Sequence, residues 1–325
     1  MIDISILFSK VVLLLLMIIP GFLMAKCKLS TPGLCKGLAN LILYAAQPAL
    51  IIKGYVRDFD AEVLSRALTV LMFSLITHFV FIGLAFGVFR GGDEARRRVL
   101  RFATVFTNAG YMGIPLICAI FDDEYAIYAS IYVIVFNLFC WSLGAYLYTD
   151  EKKYISLRKM FFNPASIATY VGLLFFLTPL NRLITPVEGS SAFLDVLRAI
   201  PYDLIDGLQA TVAPLSMLLI GLRLAEIDFR GVFRDKPMYV YLVLRLLISP
   251  ALIWGVMKVC MLLGILNDGV VMTVILLSAA TPAATATTMF AEKYDGDSVY
   301  ASKLVSVSTI LSIATMPAVA LLLYL

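Results

Sequence analysis

Charged residues are scarce in these 325 positions: 26 Lys and Arg with 22 Asp and Glu make 15% of the chain, while histidine occurs once and tryptophan twice. Water-soluble domains carry roughly 25% charge, so the composition excludes one here. The five cysteines, Cys27, Cys35, Cys118, Cys140 and Cys260, form no C-x-x-C pair and read as packing residues. The chain contains no H-E-x-x-H and no G-x-x-x-x-G-K-[ST], which excludes a zinc hydrolase and an ATP-driven motor on this polypeptide. Neither an enzyme nor a metal or cofactor site is expected. A formal charge of +4 in so apolar a chain gives a nucleic-acid partner nothing to stand on.

What is abundant is apolar surface, at 61% of residues. A membrane span needs ~20 apolar residues, so ten spans use ~200 to 220 and leave roughly 110 for every loop. Apolar windows predict ten helices, at about 5–25, 34–56, 66–89, 101–120, 125–149, 164–182, 200–222, 238–262, 269–291 and 299–323. Lys10 is the first basic residue, Asp3 precedes it, and no small-x-small site follows at Gly21 to Lys26. The first segment is therefore expected to remain a span and not to be cleaved. Lys and Arg number 17 on one side, including Arg96, Arg97, Arg98, Lys152 and Lys153, against five on the other: Lys53, Arg57, Arg66, Arg182 and Arg198. The richer side is the cytoplasm, which places both termini outside the cell membrane.

Prolines interrupt the second and fourth spans at Pro48 and Pro115 and the seventh and ninth at Pro214 and Pro282. The offsets between these pairs are 166 and 167, and Tyr128-Ala129-Ser130 echoes Tyr300-Ala301-Ser302. Five spans per half put the second half in the membrane upside down. The expected fold is thus an all-α integral membrane protein of ten transmembrane helices, a 5+5 inverted repeat with broken crossover helices 4 and 9. Residues 1–149 form the first repeat, 150–163 a cytoplasmic connecting loop and 164–325 the second repeat, an arrangement typical of transporters.

The fourth span carries Thr107, Asn108, Gly110, Gly113 and Pro115, and the ninth carries Ser278, Thr281, Pro282 and Ala283. Helix-weakening residues at bilayer depth must line protein or a cavity. Each span is expected to become two half-helices, the second beginning near its proline. Two helix N-termini meeting at the midplane, each near +0.5 charge, favour an anion, most simply a carboxylate. Asn108, Gly110, Gly113, Pro115, Thr281, Pro282, Ala283 and Gln47 are the predicted substrate-binding residues. All 22 acidic residues fall in loops or at span ends, Asp206 nearest to a span interior, so a proton pump built on paired buried carboxylates is not expected. His78, Ser278 and Asn137 are candidates for coupling to a proton or sodium, although a histidine satisfied by a neighbouring carbonyl is the plainer reading. Gln209 is a further polar candidate. Gly83-x-x-x-Gly87 reads as helix packing. Arg245, two turns inside the eighth span, reads as a structural cation that reaches the inner headgroups or caps helix ends.

At Asn108, Gly113, Ile114 and Pro115, and again at Pro282 with Phe290-Ala291-Glu292-Lys293-Tyr294, the chain resembles the auxin efflux carrier family in its prokaryotic, malate-permease-like branch. Asn163-Pro164 and Gly221 fit the same pattern. The resemblance implies a fold like that of bile-acid symporters and sodium/proton antiporters. In that fold a mobile core of spans three to five and eight to ten moves against a scaffold, through which a homodimer can form. It implies an elevator-type carrier for malate, malonate or another small carboxylate. The rival readings are a sodium-coupled symporter of the bile-acid type and a membrane sensor that binds a metabolite without moving it.

Overall fold

The computed structural model describes residues 9, 12, 13, 16–31, 33–149, 153, 155–185, 191–225 and 235–324. Lys10, most of the beginning of the expected first span, and much of 150–154 lie outside the described residues. The described chain is helical throughout, with a single isolated bridge between Thr107 and Ala283 in place of any strand. In chain order the helices are α1 Ile18–Lys26, α2 Leu34–Tyr55, α3 Ala61–Val88, α4 Glu94–Val105, α5 Ala109–Phe121, α6 Asp123–Thr149, α7 Leu157–Phe161, α8 Pro164–Leu177, α9 Ala192–Gln209, α10 Val212–Ala225, α11 Lys236–Leu262, α12 Gly269–Ala280, α13 Ala286–Lys293 and α14 Ser298–Ala320.

Six runs among the described residues are long and apolar enough to cross a bilayer: α2, α3, α6, α9 with α10, α11, and α14 with its short extension. The stretches expected as spans four and nine are each two shorter helices. The 12 residues of α12 rise only ~18 Å, about three fifths of a ~30 Å hydrocarbon layer. Span seven is likewise interrupted, at residues 210–211, just ahead of Pro214.

Side-chain pattern explains why these helices lie where they do. Along α3, Val63, Ala67, Val70, Phe73, Thr77, Phe81 and Ala85 recur at three- and four-residue steps and are buried, while Leu68, Met72, Phe79 and Phe86 are exposed. A helix apolar on both its inner and outer faces belongs in lipid. Helix starts draw on the acidic loop residues: Asp60, Asp93, Asp235, Asp268 and Asp297 each cap a helix by accepting a backbone N–H. That role keeps carboxylates at span ends.

Three prolines are preceded by a widened turn. Pro48, Pro115 and Pro250 each follow a five-residue π segment, at Ile42–Ala46, Ala109–Gly113 and Leu244–Ile248. Proline lacks the N–H of an α turn and its ring crowds the carbonyl four residues back, and a π bulge relieves both.

The helices pack in two groups. In the first, α1 lies on α10, and α2 lies on α8 and α9. Gly21 and Gly221 face the opposing backbones of α10 and α1, and the Tyr55 ring covers Gly172. The second group gathers α3, α4, α5, α6, α11, α12, α13 and α14, and α6 also packs along α2 and α8 of the first. At one end the groups are joined by Lys53 of α2, whose ammonium meets Asp206 of α9 and Asp123 at 2.8 Å, and by Arg57 with Glu124 at 3.1 Å. Arg66 pairs with Asp268 at 2.5 Å near the same end. Gly83 and Gly87 depart from the packing expectation: no atom lies within 4 Å of where a Cβ would stand. Among the described residues, no helix packs against these glycines.

Candidate functional site

The two interrupted stretches meet inside the second group. Residues 106–108 and 282–284 pass antiparallel: Asn108 N donates to the Pro282 carbonyl at 2.8 Å, and Ala284 N donates to the Phe106 carbonyl at 2.9 Å. Phe106, Thr107, Asn108, Thr281, Ala283 and Ala284 are all buried. Unwound backbone away from water must find partners, and these segments supply one another. Ser308 of α14 completes the set by accepting from Ala283 N at 3.3 Å.

Four helix ends converge there: α5 and α13 begin just beyond the crossing, and α4 and α12 end just before it. The break before α5 falls at 106–108, seven residues ahead of Pro115. This differs from the expectation that the second half-helix starts near its proline. The π turn at Ala109–Gly113 absorbs the proline defect within a continuous helix, whereas Asn108, with φ −78° and ψ 40°, is where the helical path actually fails. In the ninth stretch the break does include Pro282.

Most predicted substrate residues come together. Gln47 Nε2 donates to the Gly110 carbonyl at 3.3 Å. A Cβ at Gly113 would stand 3.6 Å from Thr281 Cγ2 and 3.9 Å from Ser278 Cα, ordinary contact between α5 and α12. Thr281 Oγ1 donates to the Ser278 carbonyl at 2.8 Å. Asn108 is 3% exposed, and its amide caps no backbone N–H. Pro115 lies two turns away along α5. Asn137 is elsewhere, donating at 3.3 Å to Asn163, the N-cap of α8. Gln209 belongs with the Lys53 cluster, since it donates to Asp206 at 3.3 Å.

His78 is buried on α3. Its Nδ1 is 2.8 Å from the Ser74 carbonyl, and its ring stacks on Phe139 at 5.4 Å and tilts against Tyr132 at 5.2 Å. Such an imidazole is held by packing and one backbone acceptor. His78→Gln is expected to leave the pH profile of transport unchanged between about pH 5 and 8, the range of an unperturbed imidazole. A mutant that binds substrate but loses its pH dependence would instead give His78 a coupling role.

Sequence reasoning passed over the residues around Arg245. This side chain is fully buried, and its Nη2 donates to the carbonyls of Ala279 at 2.6 Å and Thr281 at 2.8 Å, the end of α12. Tyr132 and Tyr241 are buried within reach of its charge. Ser308 had a visible signal, the run Ser306, Ser308, Thr309 and Ser312 in an apolar helix.

A match to the membrane transport protein family runs over residues 6–320. The chain belongs to that family. It is the grouping that the motifs at Asn108 to Pro115 and Pro282 to Tyr294 resemble. Among membrane transport proteins, it is 27% identical over 285 residues to an "Uncharacterized transporter" of Methanothermobacter thermautotrophicus, with 86% of each chain covered. It is also 27% identical over 316 residues to a "Putative malonate transporter" of Rhizobium meliloti, covering 91% of this chain and 89% of that one. The protein is therefore a multi-pass membrane transporter of this family.

Proposed function

We propose that the protein is a secondary carrier for a small organic anion, with malonate and malate the first candidates, working by elevator-type alternating access. The observation that carries the reading is the buried crossing of 106–108 with 282–284, where the Asn108 amide stands at the start of α5 and the N-terminus of α13 approaches from the other side. Helix N-termini offer N–H donors and partial positive charge, the complement of a carboxylate. The malonate designation of the Rhizobium relative supports the substrate class. On this reading Asn108 binds the carboxylate, with Gln47, Gly110, Thr281, Pro282 and Ala283 shaping the site, and Ser278 and Gly113 hold α5 against α12.

The same proposal takes the chain as ten spans in two inverted repeats, residues 1–149 and 164–325, joined by a cytoplasmic connection. The second helix group is the moving core, and the first group is the scaffold. The ion pairs of Lys53 and Arg57 with Asp123 and Glu124 close one end of the boundary between them. The basic residues number 17 on one side and five on the other, which sets both termini outside the cell. In a cysteine-free background, an impermeant maleimide should label a cysteine added after Leu325 in intact cells and leave Ser156→Cys untouched. The reverse labelling would overturn the orientation.

Purified protein in proteoliposomes should take up labelled malonate or malate down a gradient, with the unlabelled acid competing. A ligand that binds the folded state raises its thermal midpoint. Stabilisation by a carboxylate with no flux of any carboxylate would replace the carrier with a sensor.

A further inference from the structure

Arg245 is the one formally charged side chain among the buried described residues, and no carboxylate accompanies it. Its guanidinium lies 4.7 Å from the centroid of the Phe81 ring, and Nε joins Nη2 on the Thr281 carbonyl at 3.3 Å. Nη1 is buried without a partner. A lone cation at this depth is costly unless negative ends face it. Here the carbonyl end of α12 does so, and the ring face adds a cation–π contact.

The place matters more than the burial. Unwound carbonyls and half-helix C-termini at a crossover are where carriers coordinate a coupling cation, and in this chain a side chain already occupies them. We infer that Arg245 is a tethered substitute for a coupling cation, so that the protein moves its anion without sodium. Removing the side chain then opens a site for a small monovalent cation, bounded by the carbonyls of Ala279 and Thr281. The guanidinium neutralises the carbonyl ends at the crossing permanently. Asn108 and the helix N-termini on the other side are left to the anion.

The flux part of this inference rests on the carrier reading above, but the cation site does not, and the two are measured separately. Thermal midpoints of purified wild type, Arg245→Ala, Arg245→Gln and Arg245→Lys would be compared in choline, sodium and guanidinium chloride at equal ionic strength. Carboxylate uptake would be followed in choline and sodium. Wild type and Arg245→Lys should be indifferent to the cation in both measurements. Arg245→Ala and Arg245→Gln should lose at least tenfold of uptake in choline, and sodium or guanidinium should raise their midpoints by several degrees more than wild type's. Arg245→Gln keeps an N–H donor for the carbonyls, so it supplies the folded comparison should Arg245→Ala fail to assemble. The inference is overturned if wild-type uptake requires sodium. It is equally overturned if neither neutral variant gains a cation response, or if Arg245→Gln matches wild type in choline, which would reduce Arg245 to a helix cap. A cation response in the variants with no carboxylate flux in wild type would retain the site and remove the carrier reading.

Discussion

Asn108→Asp is expected to abolish binding of the organic anion near neutral pH while leaving the protein folded. The substitution keeps the side chain's shape but sets a negative charge against a negative substrate. Asn108→Ala tests the same contact more gently: the backbone donors of α5 remain, and one charge-assisted hydrogen bond is lost, worth roughly 1.5–3 kcal/mol. Affinity should fall about ten- to hundredfold at ~1.4 kcal/mol per decade. The fold should survive because the bonds that hold the crossing, Asn108 N to the Pro282 carbonyl and Ala284 N to the Phe106 carbonyl, belong to the backbone. Titration by thermal shift, with size-exclusion profiles in detergent as the folding control, reads both effects. Binding by Asn108→Asp as tight as wild type would move the anion away from the crossing and make a cation the better ligand for Asn108.

The largest expected loss of stability lies where α1 packs on α10. A Cβ at Gly221 would meet the Ile18 carbonyl, and would lie 2.7 Å from Phe22 N and 3.0 Å from Gly21 Cα. All three are backbone atoms, so no rotamer change can relieve the clash. Gly21 is blocked in the same way by the Leu218 backbone. Close approach through small residues is how helices associate in lipid, where the solvent offers no hydrophobic drive. Gly221→Leu should therefore push α1 off α10 and yield little monodisperse protein. Gly221→Ala should cost about 1–3 kcal/mol, the usual range for overpacking. Gly255 is the control, since nothing lies within 4 Å of its missing Cβ. Gly255→Ala should be neutral or stabilising by about 0.4–1 kcal/mol. Equal thermal midpoints for Gly221→Ala and Gly255→Ala would show that α1 and α10 do not pack as described.

Much of the crossing is legible in the sequence. Asn108, Thr281 and Pro282 stood out because a glycine, an asparagine or a proline at bilayer depth weakens a helix where water cannot repair it. Gly110, Gly113, Ser278 and Ala283 lie within a few residues of these positions, Gln47 is a polar residue just before Pro48 in the second span, and the structure sets all five beside the crossing. Asn137 had the same polarity and the same depth but turns to Asn163 instead. Polarity in an apolar helix announces that a partner is needed and does not say which. Arg245 is the sharpest case: the chain shows a guanidinium two turns inside a span, and its acceptors lie 34 and 36 residues away.

By itself the sequence determined the solvent, the helical content and the positions of weakness. Those follow from composition, from the spacing of apolar side chains and from backbone chemistry local to a few residues. Tertiary structure alone decided that the break before α5 comes at Asn108 and not at Pro115, because a π turn can absorb a proline while an unwound segment must find a partner strand. It also decided that this partner is 282–284, that a guanidinium closes α12, and that Gly21 meets Gly221 while Gly83 and Gly87 meet no other element among the described residues. The physical reason is the same in each instance. A local defect creates an unpaired group or an open surface, and any complementary element of the fold can fill it, so the choice belongs to the packing of the whole chain.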